Sequence, residues 1–228
     1  MSVEVAHESH AHHPVLHHQY EDLDQQNETY VVGMWTFLVT EIMFFGGLFL
    51  GYTIYRHANP AVFMDAGHRY LRTDLGALNT VVLLTSSLTM AMAVYSAQKA
   101  NRPAQLLFLG ITILCSFIFL GVKYVEWSAE FREFHLPGPG FRYVTTDTHI
   151  DVAKAQIFFC LYFAMTGLHA IHVIIGILIM SVIGFMIAAR KPCVQYYMPV
   201  EMTGLYWHFV DIVWIFLFPL FYLIPKNG

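Results

Sequence analysis

Five long apolar blocks, separated by polar stretches, dominate the 228-residue chain. The first reads VVGMWTFLVTEIMFFGGLFLGYTIY over residues 31–55; the others fall at about 75–97, 104–127, 155–189 and 202–224. None alternates with period two, as a half-buried strand would. Roughly 20 apolar residues let a helix cross a hydrocarbon core, and a helix satisfies its own backbone hydrogen bonds inside lipid. The pattern predicts an all-α integral membrane bundle of five transmembrane helices within residues 31–228, behind a hydrophilic tail, residues 1–30. The fourth block is long: at 1.5 Å per residue it makes about 50 Å of helix. It must tilt, project into water, or fold back and change the span count.

Local signals set the expected boundaries. A polar loop follows the first block, with Asp65, His68, Arg69, Arg72 and Asp74. QKANRP at 98–103 is a tight turn, and Pro103 suits a first helical residue because its missing N–H costs nothing there. PGPG at 137–140 breaks regular structure, Asp151 can cap the fourth helix, and Pro219 can kink the fifth.

Composition narrows the class. Hydrophobic residues make up 57% and charged residues 12%, about half the charge of an ordinary soluble domain. Twelve basic against sixteen acidic residues, with no basic cluster large enough to track a phosphate backbone, give nucleic-acid binding no support. Cys115, Cys160 and Cys193 are too far apart for a CxxC site. The tail has no Lys or Arg, hence no secretory signal. It does carry six histidines, among them His7, His10, His12 and His13. It reads as a solvated arm, with metal capture by those histidines as the functional alternative.

Ionisable groups inside lipid need a partner or a function. Glu41 lies ten residues into the first block, about 15 Å along a helix. Either another helix supplies its partner or the carboxyl stays protonated, in a proton-linked or a purely structural role. His169 and His172 in GLHAIHVIIG are three apart, a spacing that suits either metal or haem ligation or hydrogen-bonded packing. His208 and Asp211 repeat it, so Asp211 is placed to orient or charge-pair His208. Lys123 and Glu126 repeat it near the end of the third helix, with Glu130 a turn further; the pair cancels charge near an interface, where Lys123 can snorkel. Glu201 sits at the mouth of the last helix. Gly46, Gly47 and Gly51 form a thin strip for a close neighbour. No nucleophile with a base, no phosphate loop and no HExxH motif is present.

Four segments together resemble subunit III of haem–copper terminal oxidases, the cytochrome c oxidase group: WTFLVTEIMFFGGLF at 35–49, LNTVVLLTSS at 78–87, TGLHAIHVIIG at 166–176 and GLYWHFVDIVWIFLFPLFY at 204–222. The resemblance covers residues 31–224, in the family's order. It implies a non-redox subunit packed on catalytic subunit I, with haems and copper held by subunits I and II. Its implied work is assembly, stability and proton uptake of subunit I during O2 reduction to water. No catalytic residue, cofactor or metal is expected in this chain, while phospholipids are expected as ligands and a larger respiratory supercomplex is a further possible partner. Glu41 matches the family's carbodiimide-reactive carboxyl, and His169, His172, His208 and Asp211 match a polar packing network. The longer family form has seven helices; this chain starts at the third. The resemblance also implies a multi-pass protein of a bacterial-type cytoplasmic membrane with its N-terminus cytoplasmic, whereas a raw count of loop Lys and Arg places that end outside. A quinol oxidase subunit, an accessory subunit of nitric oxide reductase and an ion-coupled transporter are the alternatives.

Overall fold

The computed structural model describes residues 19–132, 141, 143, 151–191 and 196–223, with the side chains of 68–70 outside the description. All regular structure among them is helical: α1 Leu23–Ala58, α2 Pro60–Tyr70, α3 Thr73–Gln98, α4 Arg102–Arg132, α5 Val152–Ala188 and α6 Met198–Tyr222. Five of the six, all but α2, are long and apolar enough to span a membrane. The fourth span is one unbroken helix of 37 residues, with no fold-back. The PGPG stretch and His7, His10, His12 and His13 lie outside the described residues.

The helices begin earlier or run later than their apolar blocks. α1 starts at Leu23, eight residues ahead of Val31, because Asp22 caps it: the Gln25 N–H donates to the Asp22 carboxylate at 2.7 Å, and Gln25 Oε1 accepts from Glu21 N–H at 2.9 Å. This reciprocal arrangement satisfies amide donors that a helix start leaves open. Asn27 then donates to the Tyr196 hydroxyl at 2.7 Å, fastening the polar extension to the segment before α6. α4 runs to Arg132, past the expected Trp127, and α6 starts at Met198 rather than Met202. Asp151 caps α5 as expected, accepting from Ala153 N–H at 3.0 Å.

α2 corrects the expected polar loop. Pro60 opens it, and Val62, Phe63 and Ala66 bury one face against α5 and α6. Asp65 on α2 accepts from the Tyr143 hydroxyl at 2.6 Å.

α3, α4, α5 and α6 form a closed ring in which each helix packs on the next and α6 returns to α3. Contacts show that neighbours in the ring run antiparallel: Leu109 of α4 meets Gly184 of α5 while Trp127 meets Phe163, and Trp207 and Trp214 of α6 meet Ser86 and Thr80 of α3 in reverse order. α1 lies outside it, parallel to α6, as the ring pairs Phe37–Tyr206, Phe49–Phe216 and Tyr52–Phe221 record. The Tyr52 hydroxyl donates to the Leu220 carbonyl. Inside the ring Trp207 and Trp214 are fully buried, their indoles donating to Ser86 and Thr80 on α3, each at 3.1 Å. Close approach depends on Gly176: a Cβ there would lie 2.7 Å from the Trp207 ring. Gly46, Gly47 and Gly51 have no such role within the bundle, since no other helix among the described residues comes within 4 Å of a Cβ at any of them.

Candidate functional site

Two centres inside the spans join ionisable groups to partners on other helices. The first joins α1 to α5. His172 Nε2 stands 3.2 Å from Glu41 Oε2, and His172 Nδ1 stands 2.8 Å from the Leu168 carbonyl. Since a carbonyl only accepts, Nδ1 carries a hydrogen and donates it. The Tyr206 hydroxyl donates to the His172 carbonyl at 2.9 Å, and the Phe45 ring packs edge-on to the imidazole with centroids 5.3 Å apart. The pair is only partly covered, with side-chain exposures of 14% and 20%. Glu41 thus takes its partner from another helix.

His169, one turn before His172, does not join it. Three residues advance a helix by about 300°, so two side chains at that spacing diverge by about 60°. His172 meets α1, while His169 points into the ring between Phe119 and Trp214, at centroid distances of 5.5 and 5.4 Å. It is 1% exposed, and neither ring nitrogen has a hydrogen-bond partner among the described residues. The two histidines do not converge on a common ligand point. No group of three His, Cys, Asp or Glu among the described residues has the placement of a metal site.

The expected His208–Asp211 pairing is also corrected. His208 Nδ1 pairs instead with the Ser87 hydroxyl of α3 at 2.8 Å. Asp211, 3% exposed, has no hydrogen-bond partner at either carboxyl oxygen among the described residues; Ser87 is its polar neighbour. The short hydroxyl across the α3–α6 contact reaches the imidazole that an i, i+3 carboxylate misses.

The second centre closes the opposite half of the ring. Lys123 does not snorkel: it is 3% exposed and points inward. Its ammonium donates to Glu126 Oε2 at 2.9 Å, to Tyr162 at 3.1 Å and to Tyr222 at 2.6 Å. Both tyrosine hydroxyls donate onward to Glu126 Oε1, at 3.1 and 2.5 Å. All three ammonium donors therefore have acceptors, and the rings of Tyr162, Trp214 and Tyr222 stand 5.0 to 5.2 Å from the charge. Tyr162 and Tyr222 were not singled out from the sequence. Their only local signal is a polar tip on an aromatic in an apolar helix, which buried tyrosines regularly satisfy with a hydrogen bond. Glu130 is buried one turn beyond Glu126. Glu201 lies in the first turn of α6, about 30 Å along that helix from Tyr222.

A third feature lies at the end of the bundle where Glu201 sits. Arg102, Arg190, Lys191, Tyr196 and Tyr197 line a pocket of 220 Å³ between the α3–α4 turn and the start of α6.

Comparison with known proteins agrees with this architecture. The family model for cytochrome c oxidase subunit III matches residues 18–225. Cytochrome c oxidase subunit 3 of Bacillus subtilis is 31% identical over 199 residues, covering 86% of this chain and 87% of that protein. Cytochrome bo(3) ubiquinol oxidase subunit 3 of Pseudomonas aeruginosa is 28% identical over 207 residues, 90% of each chain. The heme-copper oxidase subunit I+III of Aeropyrum pernix is 28% identical over 200 residues, 84% of this chain but 22% of that longer protein. With five membrane-length helices and a family match spanning nearly its whole length, the chain belongs to the cytochrome c oxidase subunit III family.

Proposed function

We propose that the chain is a non-redox subunit of an aerobic haem–copper oxidase of the cytochrome c type. In it the chain supports assembly, stability and proton uptake of catalytic subunit I during O2 reduction. The observation that carries this reading is the Glu41–His172 pair: a carboxyl and an imidazole at mid-membrane depth, on the rim of the bundle rather than sealed in its core. Polar groups placed so within lipid belong against a partner or in function. The partners in this reading are subunits I and II, which hold the haems and copper, and the match to part of a relative named as subunit I+III is consistent with contact to subunit I.

Membrane phospholipid completes the reading. The cationic pocket at Arg102, Arg190 and Lys191 has the charge and the interfacial position to hold a lipid phosphate. In this reading the membrane is a bacterial-type cytoplasmic membrane, with the N-terminus on its cytoplasmic side. The match to a ubiquinol oxidase subunit over 90% of both chains favours a quinol-fed complex as the second reading.

The test is purification of the native complex through this chain in mild detergent, with subunit identification and an optical haem spectrum. Stoichiometric recovery with haem-bearing subunit I and a copper-bearing subunit II supports the first reading. A subunit II without copper shifts it to the quinol class, and repeated recovery without haem removes both.

A further inference from the structure

A cavity of 430 Å³ opens between α1, α5 and α6, within the range of about 300–1,000 Å³ typical of small-molecule sites. Met34, Phe37, Ile175 and Met202 give it apolar walls, into which Glu41 and His172 bring the polar pair; the hydroxyls of Thr203 and Tyr206, also in its lining, already donate to the Pro199 and His172 carbonyls. Ten residues separate Glu41 from the start of the apolar block at Val31. That is about 15 Å along the helix, near the middle of a hydrocarbon core about 30 Å thick. Phospholipid headgroups stay at the surface. Acyl tails reach this depth but carry no hydrogen-bonding group.

The hydrogen-bond inventory defines what the cavity lacks. His172 Nδ1 is committed to Leu168, so the Nε2–Glu41 contact holds one hydrogen, bound either to the carboxyl or to the imidazole. In the first arrangement Glu41 Oε1 is a carbonyl oxygen, and in the second it belongs to a carboxylate. In both it is an acceptor only. No donor among the described residues reaches it, and it is not among the sealed polar atoms of the bundle. An acceptor without a donor is costly in hydrocarbon. The missing group is thus a hydroxyl or N–H, delivered at mid-membrane depth on an apolar body that fits beside Phe37.

We propose that this cavity binds an isoprenoid quinol, with a ring hydroxyl donating to Glu41 Oε1 and the tail running out into the bilayer. Quinols combine a flat ring, a hydroxyl donor and no charged headgroup, so they reach the depth of Glu41. The oxidised quinone carries only carbonyl acceptors at those positions and has nothing to donate. The site therefore discriminates in favour of the reduced form. This is a binding site; no electron transfer is assigned to it.

The experiment uses the full chain with whatever partners it retains, and a short-tailed quinol bearing a photoreactive diazirine on the tail. Crosslinked peptides are mapped by mass spectrometry, with the probe held reduced or fully oxidised. The expected result is labelling of the α1, α5 and α6 segments around Met34, Ile175 and Met202, weaker by about tenfold with the oxidised probe. Glu41→Leu should lower it by about the same factor, the worth of one hydrogen bond to a charged or strongly polar group. Phe37→Trp, at a 39% exposed position, narrows the cavity without touching Glu41 and should also reduce labelling. Equal labelling by both redox forms, or equal labelling of wild type and both variants, overturns the proposal. So does absent labelling, which would mean that a donor from a neighbouring subunit or nothing at all meets Oε1. The label is read on this chain regardless of haem content, so the oxidase assignment stands or falls separately.

Discussion

Lys123 Nζ donates to the hydroxyl of Tyr222 at 2.6 Å, tying the last turns of α4 to the final residue of α6 across the interior of the ring. Glu126 lies between them, accepting from both the ammonium and the phenol. Three helices meet at one satisfied charge pair, and both charges are buried. Removing one partner of such a pair leaves the other buried and unpaired, which costs about 3–5 kcal/mol, whereas replacing both by apolar groups is often near neutral. Lys123→Met should therefore lower stability by about 3 kcal/mol, and Lys123→Met with Glu126→Met should recover much of that loss. Unfolding of the purified protein in mixed detergent micelles measures both. A double variant as weak as the single one would show that the ion pair is not what holds these helices.

The contrast between glycines gives an independent test of packing. A Cβ at Gly176 would stand 2.7 and 2.8 Å from two atoms of Trp207, whose indole is buried and held by Ser86. Gly176→Ala should cost about 1–3 kcal/mol through overpacking. Gly47→Ala meets no atom of another helix within 4 Å among the described residues, and alanine favours the helix by about 0.5–1 kcal/mol. In the isolated chain it should be neutral or slightly stabilising. Thermal midpoints of the two variants measured side by side decide whether the α5–α6 contact is as tight as the geometry states.

The spans were legible because a run of apolar residues long enough for a bilayer has few other uses. Their ends were less so. Hydropathy marks where a helix leaves lipid, not where it stops, and the cap at Asp22 lies in polar sequence. α2 was missed because Val62, Phe63 and Ala66 are too few to stand out in eleven residues. Within the site, Glu41 was legible as a group needing a partner, but spacing cannot reveal that His172 lies beside it 131 positions away. Spacing also misled at His208, where Ser87 from α3 replaces Asp211. At Lys123 the rule that a lysine near a helix end reaches for water lost to acceptors on α5 and α6. In each case a contact between helices overrode a local rule.

The start of α1 can be checked without disturbing the membrane portion. Asp22→Ala removes the side-chain acceptor for Gln25 N–H, a change worth about 1 kcal/mol. Hydrogen exchange at residues 23–30 should rise by about fivefold, while exchange beyond Val31, inside the span, stays unchanged. Asn27→Ala cuts the tie to Tyr196 and should loosen the same turns. Unaltered exchange in both variants would mean that other contacts hold the extension.

Glu41 separates a structural acid from a functional one. Glutamine is nearly the same size, and its amide can donate to His172 Nε2 while Nδ1 keeps its bond to Leu168. Glu41→Gln should therefore assemble in normal yield, with stability within about 0.5 kcal/mol of wild type, whereas Glu41→Leu loses a hydrogen bond worth about 1 kcal/mol. What glutamine cannot do is exchange the hydrogen shared in that contact. If the carboxyl takes part in proton supply, the Glu41→Gln oxidase starts at a normal rate but completes fewer turnovers before inactivating. Initial rate and inactivation rate must be followed in the same assay, because a structural defect lowers both yield and initial rate, and a proton-supply defect shortens the catalytic lifetime alone. An infrared carboxyl band present in wild type and absent in Glu41→Gln would place the shared hydrogen on the acid. Identical inactivation kinetics in the two enzymes would leave Glu41 as a packing group, with His172 as the partner that satisfies it.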